Sequence, residues 1–327
     1  MKNIIGNLLL LSFSLAIVFA IGEVASRYVT PISPGPSILD MDGNKQKISY
    51  IEAGKQFRIT TPDFDAVTTI TKDGYRAPEA KGKPNVIFMG DSFTYAQGVT
   101  DDEAFPALYC KARGLNCANL AVPGASTLYE IDRLEHFLKT KNWTPDMVHF
   151  FFFTGNDFSD NLGAAGNREL GLPYEPVELN LRSAAAEEKN IIKKAVDVGL
   201  KYSNLLRVAY YKILPMIRDN PDEAADTMSR ALEVTKGEFA RLDKLSHAYA
   251  FNYKIYVIHP EPEITHNVYQ EIDKKLQALT PVPITPLGDL FKENTKSYFF
   301  PSDGHFSVAG NKKLADFLLA NQKLSQN

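Results

Sequence analysis

Apolar residues are distributed along this chain in three different ways. From Ile4 to Ile21 the sequence reads IIGNLLLLSFSLAIVFAI and carries no charge. As a helix rising 1.5 Å per residue, this run spans about 27 Å, close to the hydrocarbon thickness of a bilayer. Lys2 precedes the run, and Glu23 and Arg27 follow it and roughly cancel. The asymmetry favours an N-terminus in the cytoplasm and the bulk of the chain outside. These features predict a retained signal-anchor over residues 1–29. A cleaved signal peptide, with Val18-Phe19-Ala20 as its site, and a buried core helix are the alternatives. Both membrane readings export the rest of the chain, to the periplasm or the cell surface.

Punctuation replaces the apolar run over residues 30–47, which contain TPISPGPS and DMDGNKQK and read as a linker. Residues 48–80 hold short β-like pieces, FRITT and AVTTITKDGYRAPE, which predict an N-terminal arm. From Pro84 onward, short apolar runs alternate with helix-period segments. Strands are predicted at 85–89, 117–121, 147–153, 254–258 and, edge-like, 282–285. Helices are predicted at 104–112, 127–141, 228–250, 262–279 and 308–322. Strand and helix in alternation imply a mostly parallel five-stranded sheet with helices on both faces. The alternation lapses over about 158–228. That stretch reads as a Gly/Pro-rich loop (161–180) and one long helix (183–214), closed by Pro215 and the Asp219-Asn-Pro221 turn. It is an expected helical insertion in a domain covering 81–327.

Composition changes the picture only by exclusion. The chain has 327 residues, 44% hydrophobic and 23% charged, an ordinary globular balance. A net charge of −3 gives no electrostatic case for a nucleic-acid partner. Two cysteines cannot form a four-cysteine zinc site. Cys110 and Cys117 flank a predicted helix end and strand start. A disulfide there requires Cα atoms within about 7 Å, and two buried thiols are the alternative.

Candidate chemistry lies just beyond strand ends. Gly90-Asp-Ser-Phe-Thr94 follows the first predicted strand, Val122-Pro-Gly124 the second and Thr154-Gly-Asn-Asp157 the third. In an open α/β sheet, ligands bind at that rim. There Ser92 is a candidate nucleophile. The Ser92 and Gly124 amides with the Asn156 side chain are a candidate oxyanion hole. Taken singly, Gly124 reads as a turn residue and Asn156 as a helix cap. Ser302-Asp-Gly-His-Phe-Ser307 precedes the final helix and supplies His305 as a base and Asp303 as the carboxylate that orients it. His259-Pro-Glu-Pro-Glu263 has metal-like residues but no second ligand cluster beside it, so neither metal nor cofactor is expected.

These blocks, in this order, resemble the SGNH (GDSL-type) hydrolase family over roughly Asp73 to Leu319. The resemblance implies a flavodoxin-like three-layer α/β/α sandwich. It also implies Ser92 as nucleophile, His305 as base, Asp303 as its partner, and Ser92, Gly124 and Asn156 as the oxyanion hole. Thr71-Lys-Asp-Gly-Tyr-Arg-Ala-Pro78 and the apolar N-terminus resemble a bacterial membrane-anchored subgroup. Two positions depart from the family pattern. Thr154 stands where the third block usually has glycine. Asp303 and His305 are two residues apart rather than three. The shorter spacing resembles SGNH-like proteins that acetylate exopolysaccharides, such as the alginate acetylation proteins. The expectation is therefore a membrane-anchored, exported serine esterase acting on a small acyl ester or an O-acetylated cell-envelope glycan. An O-acyltransferase using the same acyl-serine and a non-catalytic SGNH scaffold are the rivals.

Overall fold

The computed structural model describes residues 2–41, 43, 53–171, 191–214 and 221–321. Helix α1 (Lys2–Val29) is followed by three short strands, β1 (Ser37–Asp40), β2 (Gln56–Thr60) and β3 (Asp65–Thr69). Next come β4 (Val86–Met89), α2 (Ser92–Tyr95), α3 (Phe105–Arg113), β5 (Cys117–Asn119), α4 (Thr127–Thr140), β6 (Met147–Phe153) and α5 (Asp157–Glu169). Then follow α6 (Ile191–Tyr202), α7 (Asn204–Val208), a π-helical turn (Ala209–Ile213), α8 (Pro221–Tyr249) and β7 (Asn252–Ile258). The C-terminal part comprises α9 (Glu261–Thr265), α10 (Tyr269–Gln277), β8 (Ile284–Pro286), α11 (Gly288–Phe291), α12 (Thr295–Tyr298) and α13 (Val308–Asn321).

Five strands form one sheet in the order β5-β4-β6-β7-β8, and every neighbouring pair is parallel. The apolar run of β6 explains its central place. A strand buried on both faces reads as continuous rather than alternating hydrophobicity. Val148, Phe150 and Phe152 pack on one face with Ile131 and Leu134 of α4 and Phe239 and Leu242 of α8. Phe151 and, from β4, Phe88 pack on the other face with Phe105 and Tyr109 of α3 and Leu314 and Leu318 of α13. The expected three-layer α/β/α sandwich is the observed one. The order of strands reverses at β4, from which the chain moves outward to β5 and then back across to β6. That reversal is the topological switch point where open α/β sheets leave a crevice.

Several expected boundaries change. The stretch 161–169, read as loop, is the body of α5. Asn161 is buried there, donates to Thr127 Oγ1 (3.1 Å) and Thr235 Oγ1 (3.0 Å), and accepts from Thr127 N–H (2.7 Å). Such long-range burial overrides the weak helix propensity of Gly163 and Gly166. The long helix expected over 183–214 breaks at Ser203, whose backbone is extended and whose side chain caps α7 by accepting from Leu206 N–H. Residues 183–190, 172–180 and the Pro215–Asn220 part of the predicted turn lie outside the described residues, and Pro221 opens α8. The helix expected at 262–279 is two, α9 and α10. The linker contains β1, which joins β2 and β3 in an antiparallel sheet. Phe57, Ile59 and Ala66 of this small sheet pack with Tyr95, so it covers the strand-end rim beside α2. Cys110 and Cys117 form a disulfide with Cα atoms 6.2 Å apart.

Candidate active site

The turn after β4 can be made only by glycine. Gly90 has φ 151°, and a Cβ there would lie 2.2 Å from Thr94 Oγ1 and 2.9 Å from the Phe151 carbonyl. Asp91 then caps the short helix α2, its carboxylate accepting the Phe93 N–H at 2.9 Å. This sets Ser92 at the first helical position, in the middle of the rim. Gly124, with φ 72°, lies beyond β5 on one side, and Asn156, at the start of α5, lies beyond β6 on the other.

Ser92 meets a residue brought from the far end of the chain. Its Oγ is 2.7 Å from His305 Nε2, and His305 Nδ1 is 2.5 Å from Asp303 Oδ1. The shortened Asp303–His305 spacing is accommodated by Gly304, whose φ of 86° turns the chain between them. The loop is clamped from behind by Asp63, whose Oδ2 accepts both the Ser302 and the Asp303 N–H at 2.7 Å. Gln97 Nε2 lies 3.4 Å from His305 Nδ1, and the Phe93 ring stands 4.9 Å from the imidazole. The structure thus brings Ser92, His305 and Asp303 into one hydrogen-bonded line, with Gly124 and Asn156 at the flanking strand ends.

Further residues support this rim, and Asp160 and Asp63 carry no motif in the sequence. Asp160, one helical turn after Asn156, accepts the Asn156 Nδ2–H at 2.7 Å and so fixes which end of that amide faces it. The i, i+4 spacing is the signal that could have found it. Asp63 has no local signal. Arg76, from the stretch that resembles the membrane-anchored subgroup, is 1% exposed and donates to the carbonyls of Tyr95, Ala96 (2.6 Å) and Val99 (2.7 Å). It thereby holds the chain leaving α2. Thr154, at the departed glycine position, donates to Glu263 Oε2 at 2.7 Å. That carboxylate is also 3.0 Å from His259 Nδ1, while His259 Nε2 is 3.0 Å from Asp273. Both ring nitrogens of His259 are therefore occupied by carboxylates. Among the described residues, no group of three or more His, Cys, Asp or Glu could hold a metal ion.

Beneath the rim lies a set of buried acids. Burial pushes the Asp91 carboxyl up to about 6, although the Phe93 amide and the nearby His305 pull the other way. Burial likewise raises Asp160 to about 6 against its bond from Asn156. Asp157 is raised well above the usual carboxylate range by burial and by the charges of Asp91 and Glu130. Glu130 is raised in the same way by burial, Asp91 and Asp160, and neither of its oxygens has a hydrogen-bond partner among the described residues. A buried carboxyl without partners stays neutral at pH 7. A cavity of about 990 Å³ borders the Asp303–His305 side of this line. Gly35, Pro62, Gln97, Tyr202 and Tyr211 line it with Asp303 and His305.

The GDSL-like lipase/acylhydrolase family model matches residues 86–318, and the chain belongs to that family. Among solved structures the chain is similar to the crystal structure of TesA, at 11% identity over 73% of this chain and 97% of TesA (TM-score 0.41). It is also similar to a member of the lipolytic protein G-D-S-L family from Veillonella parvula, at 13% identity over 73% and 98% of the two chains (TM-score 0.38). A family two carbohydrate esterase from Clostridium thermocellum, solved with cellohexaose, is similar at 11% identity over 75% and 64% (TM-score 0.36). No curated protein matches the chain.

Proposed function

We propose that this protein is an exported, membrane-anchored serine esterase that removes acyl groups, with O-acetylated cell-envelope glycan as the substrate class. The observation that carries the reading is the unbroken line from Ser92 Oγ through His305 to Asp303, at 2.7 and 2.5 Å. In this mechanism Ser92 donates its proton to His305 Nε2 as Oγ attacks the ester carbonyl. His305 Nδ1–H donates throughout to Asp303, which fixes the tautomer and stabilises the imidazolium. The tetrahedral oxyanion is taken by the amides of Ser92 and Gly124 and the side chain of Asn156. The alcohol leaves with the proton held on His305. Water, deprotonated by the same ring, then releases the acid and restores Ser92. No cofactor is called on for any step.

Export and anchoring are supported by the span Ile5–Val29, an apolar helix whose most apolar stretch no other part of the protein buries. The Cys110–Cys117 disulfide supports the same compartment, since such bonds persist outside the reducing cytosol. A second reading, transfer of the acyl group to a sugar hydroxyl, is favoured by one observation. The cavity of about 990 Å³ leaves room for an acceptor beside His305 and Asp303.

The test is turnover of a chromogenic acetyl ester by the full chain in detergent, beside Ser92→Ala. Loss of a triad serine is expected to lower kcat/KM by at least ~10³-fold. Retention of activity by Ser92→Ala overturns the nucleophile assignment. Acetate released in step with the chromophore supports hydrolysis. Acetyl transferred to added oligosaccharide instead supports the second reading.

A further inference from the structure

The end of α1 is built into the catalytic domain. Glu23 Oε2 accepts Ser203 Oγ–H at 2.7 Å and Leu205 N–H at 3.0 Å, and Glu23 Oε1 accepts Asn204 N–H at 2.9 Å. A Cβ on Gly22 would stand 3.1 Å from Leu205 Cδ2, so the two helices are in contact. Asn204 Nδ2 donates to the Thr30 carbonyl at 3.0 Å, and Arg207 Nε to the Ile32 carbonyl at 2.7 Å. The first charged residue after the apolar run thus joins Ser203 in satisfying the first N–H groups of α7. A carboxylate that ends an apolar span sits at headgroup level, because burying it in hydrocarbon is costly. Residues 203–205 must share that depth.

From this pinned end the chain runs through α7 and the π-helical turn. Leu206, Tyr210, Tyr211 and Ile213 are 40%, 46%, 53% and 48% exposed, with the exposed Lys212 among them. Leu206, Tyr210 and Ile213 are spaced by four and three, which puts them on one side of a helix. Such a patch in water is costly, yet it has the composition of an interfacial helix. Tyrosine rings favour the headgroup layer, and lysine extends its amine back to water.

We propose that α7 and the Ala209–Ile213 turn lie on the outer surface of the bilayer, with Leu206, Tyr210 and Ile213 set into its headgroup–acyl boundary. This rests on the reading of α1 as a membrane anchor. Lipid is the occupant because the patch is continuous with a fully exposed apolar helix and is fixed at its polar end. The consequence is that the cavity beside His305 and Asp303 is held against the membrane. Tyr202 and Tyr211 line the cavity with His305, and Ser33 N–H donates to the Ser302 carbonyl at 2.7 Å, one residue from Asp303.

The test uses the full chain in phosphatidylcholine–phosphatidylglycerol vesicles whose acyl chains are brominated either near the headgroup or near the chain end. Bromine quenches tryptophan on contact. The single native tryptophan, Trp143, is 4% exposed in the core and supplies the unquenched baseline. Phe13→Trp reports α1, Tyr210→Trp the platform, and Lys83→Trp the exposed turn before β4, at the end of the strands away from Ser92. A side chain about 5–10 Å into the interface should lose roughly half its emission to the shallow label. The expected result is shallow quenching of Tyr210→Trp, deep quenching of Phe13→Trp and none of Lys83→Trp. If Phe13→Trp is quenched while Tyr210→Trp matches Lys83→Trp, the platform is wrong and the anchor stands. If Phe13→Trp is not quenched, the anchor reading fails and takes the platform with it.

Discussion

A side-chain amide serves as an anion donor only when its N–H groups are held in one direction. In the proposed mechanism the holding of Asn156 falls to Asp160, whose carboxylate accepts an Nδ2–H at 2.7 Å. Asp160→Ala should therefore lower kcat by roughly 10–100-fold, towards the cost of losing one oxyanion donor, with KM nearly unchanged. Because Asp160 is raised to about 6, the wild type loses this carboxylate as pH falls through that value. The difference between variant and wild type should then be larger at pH 8 than at pH 5, which paired kinetics would check. Arg76 poses a different problem. Its guanidinium is buried and satisfies three carbonyls leaving α2. Arg76→Met keeps much of the volume but strands those acceptors, and should cost at least ~3 kcal/mol in urea unfolding. Little loss would mean that the carbonyls find other donors.

The elements around the site are stapled to one another as well as packed. The Cys110–Cys117 disulfide ties the end of α3 to the start of β5, the strand that leads to Gly124. Replacing both cysteines with serine should cost about 2–3 kcal/mol in unfolding free energy, from the short loop released. Urea unfolding of the wild type with reductant should reproduce that shift. On the other side of the rim, Thr154, Glu263, His259 and Asp273 link the ends of β6 and β7 to α9 and α10. This linkage explains why threonine replaces glycine at position 154: its hydroxyl is a member of the network. Burial alone would lower the His259 pKa, but its bonds to Asp273 and Glu263 more than offset that, and the net shift is upward. The sequence showed His259 and Glu263 as neighbours, whereas Asp273 arrives from α10 and was not visible.

For the molecule as a whole, the buried acids share a sign, while His149, lowered to about 3 by burial, opposes them below 6.5. Asp91 and Asp160 rise from 3.8 to about 6, so the native state binds more protons than the unfolded chain between those values. A raised pKa stabilises below the unfolded value, and the stabilisation disappears as pH climbs through the folded value. Asp157 and Glu130, raised further by burial and mutual repulsion, extend the same trend to higher pH. His259 adds to it, since its stabilisation is complete below 6.5 and is lost above its raised value. Above 6.5, where His149 is neutral in both states, thermal unfolding should shift downward towards pH 8, by about 2–4 °C for each kcal/mol lost. Glu130→Gln should flatten the curve, because a buried amide has no charge to acquire. A midpoint that rises over this interval would contradict the neutral state of the buried acids.

The sequence by itself determined the class of fold and the residues at the strand ends. Both are local facts. The run Met147–Phe153 declares a strand buried on two faces, and glycine at 90, 124 and 304 marks turns that few other residues can make. A few consecutive side chains carry that information. Tertiary structure alone decided what holds those residues in place. Asp63 grips the Ser302–Asp303 backbone across a separation of 239 and 240 residues, and Glu23 accepts the first N–H groups of α7 from 181 and 182 residues away. It also decided that 161–169 is helix, because Asn161 finds Thr127 and Thr235 only after α4, α5 and α8 have packed. A hydrogen bond between distant residues has no periodicity or spacing in the chain. It exists only once burial has brought its donor and acceptor together and removed the water that would otherwise satisfy them.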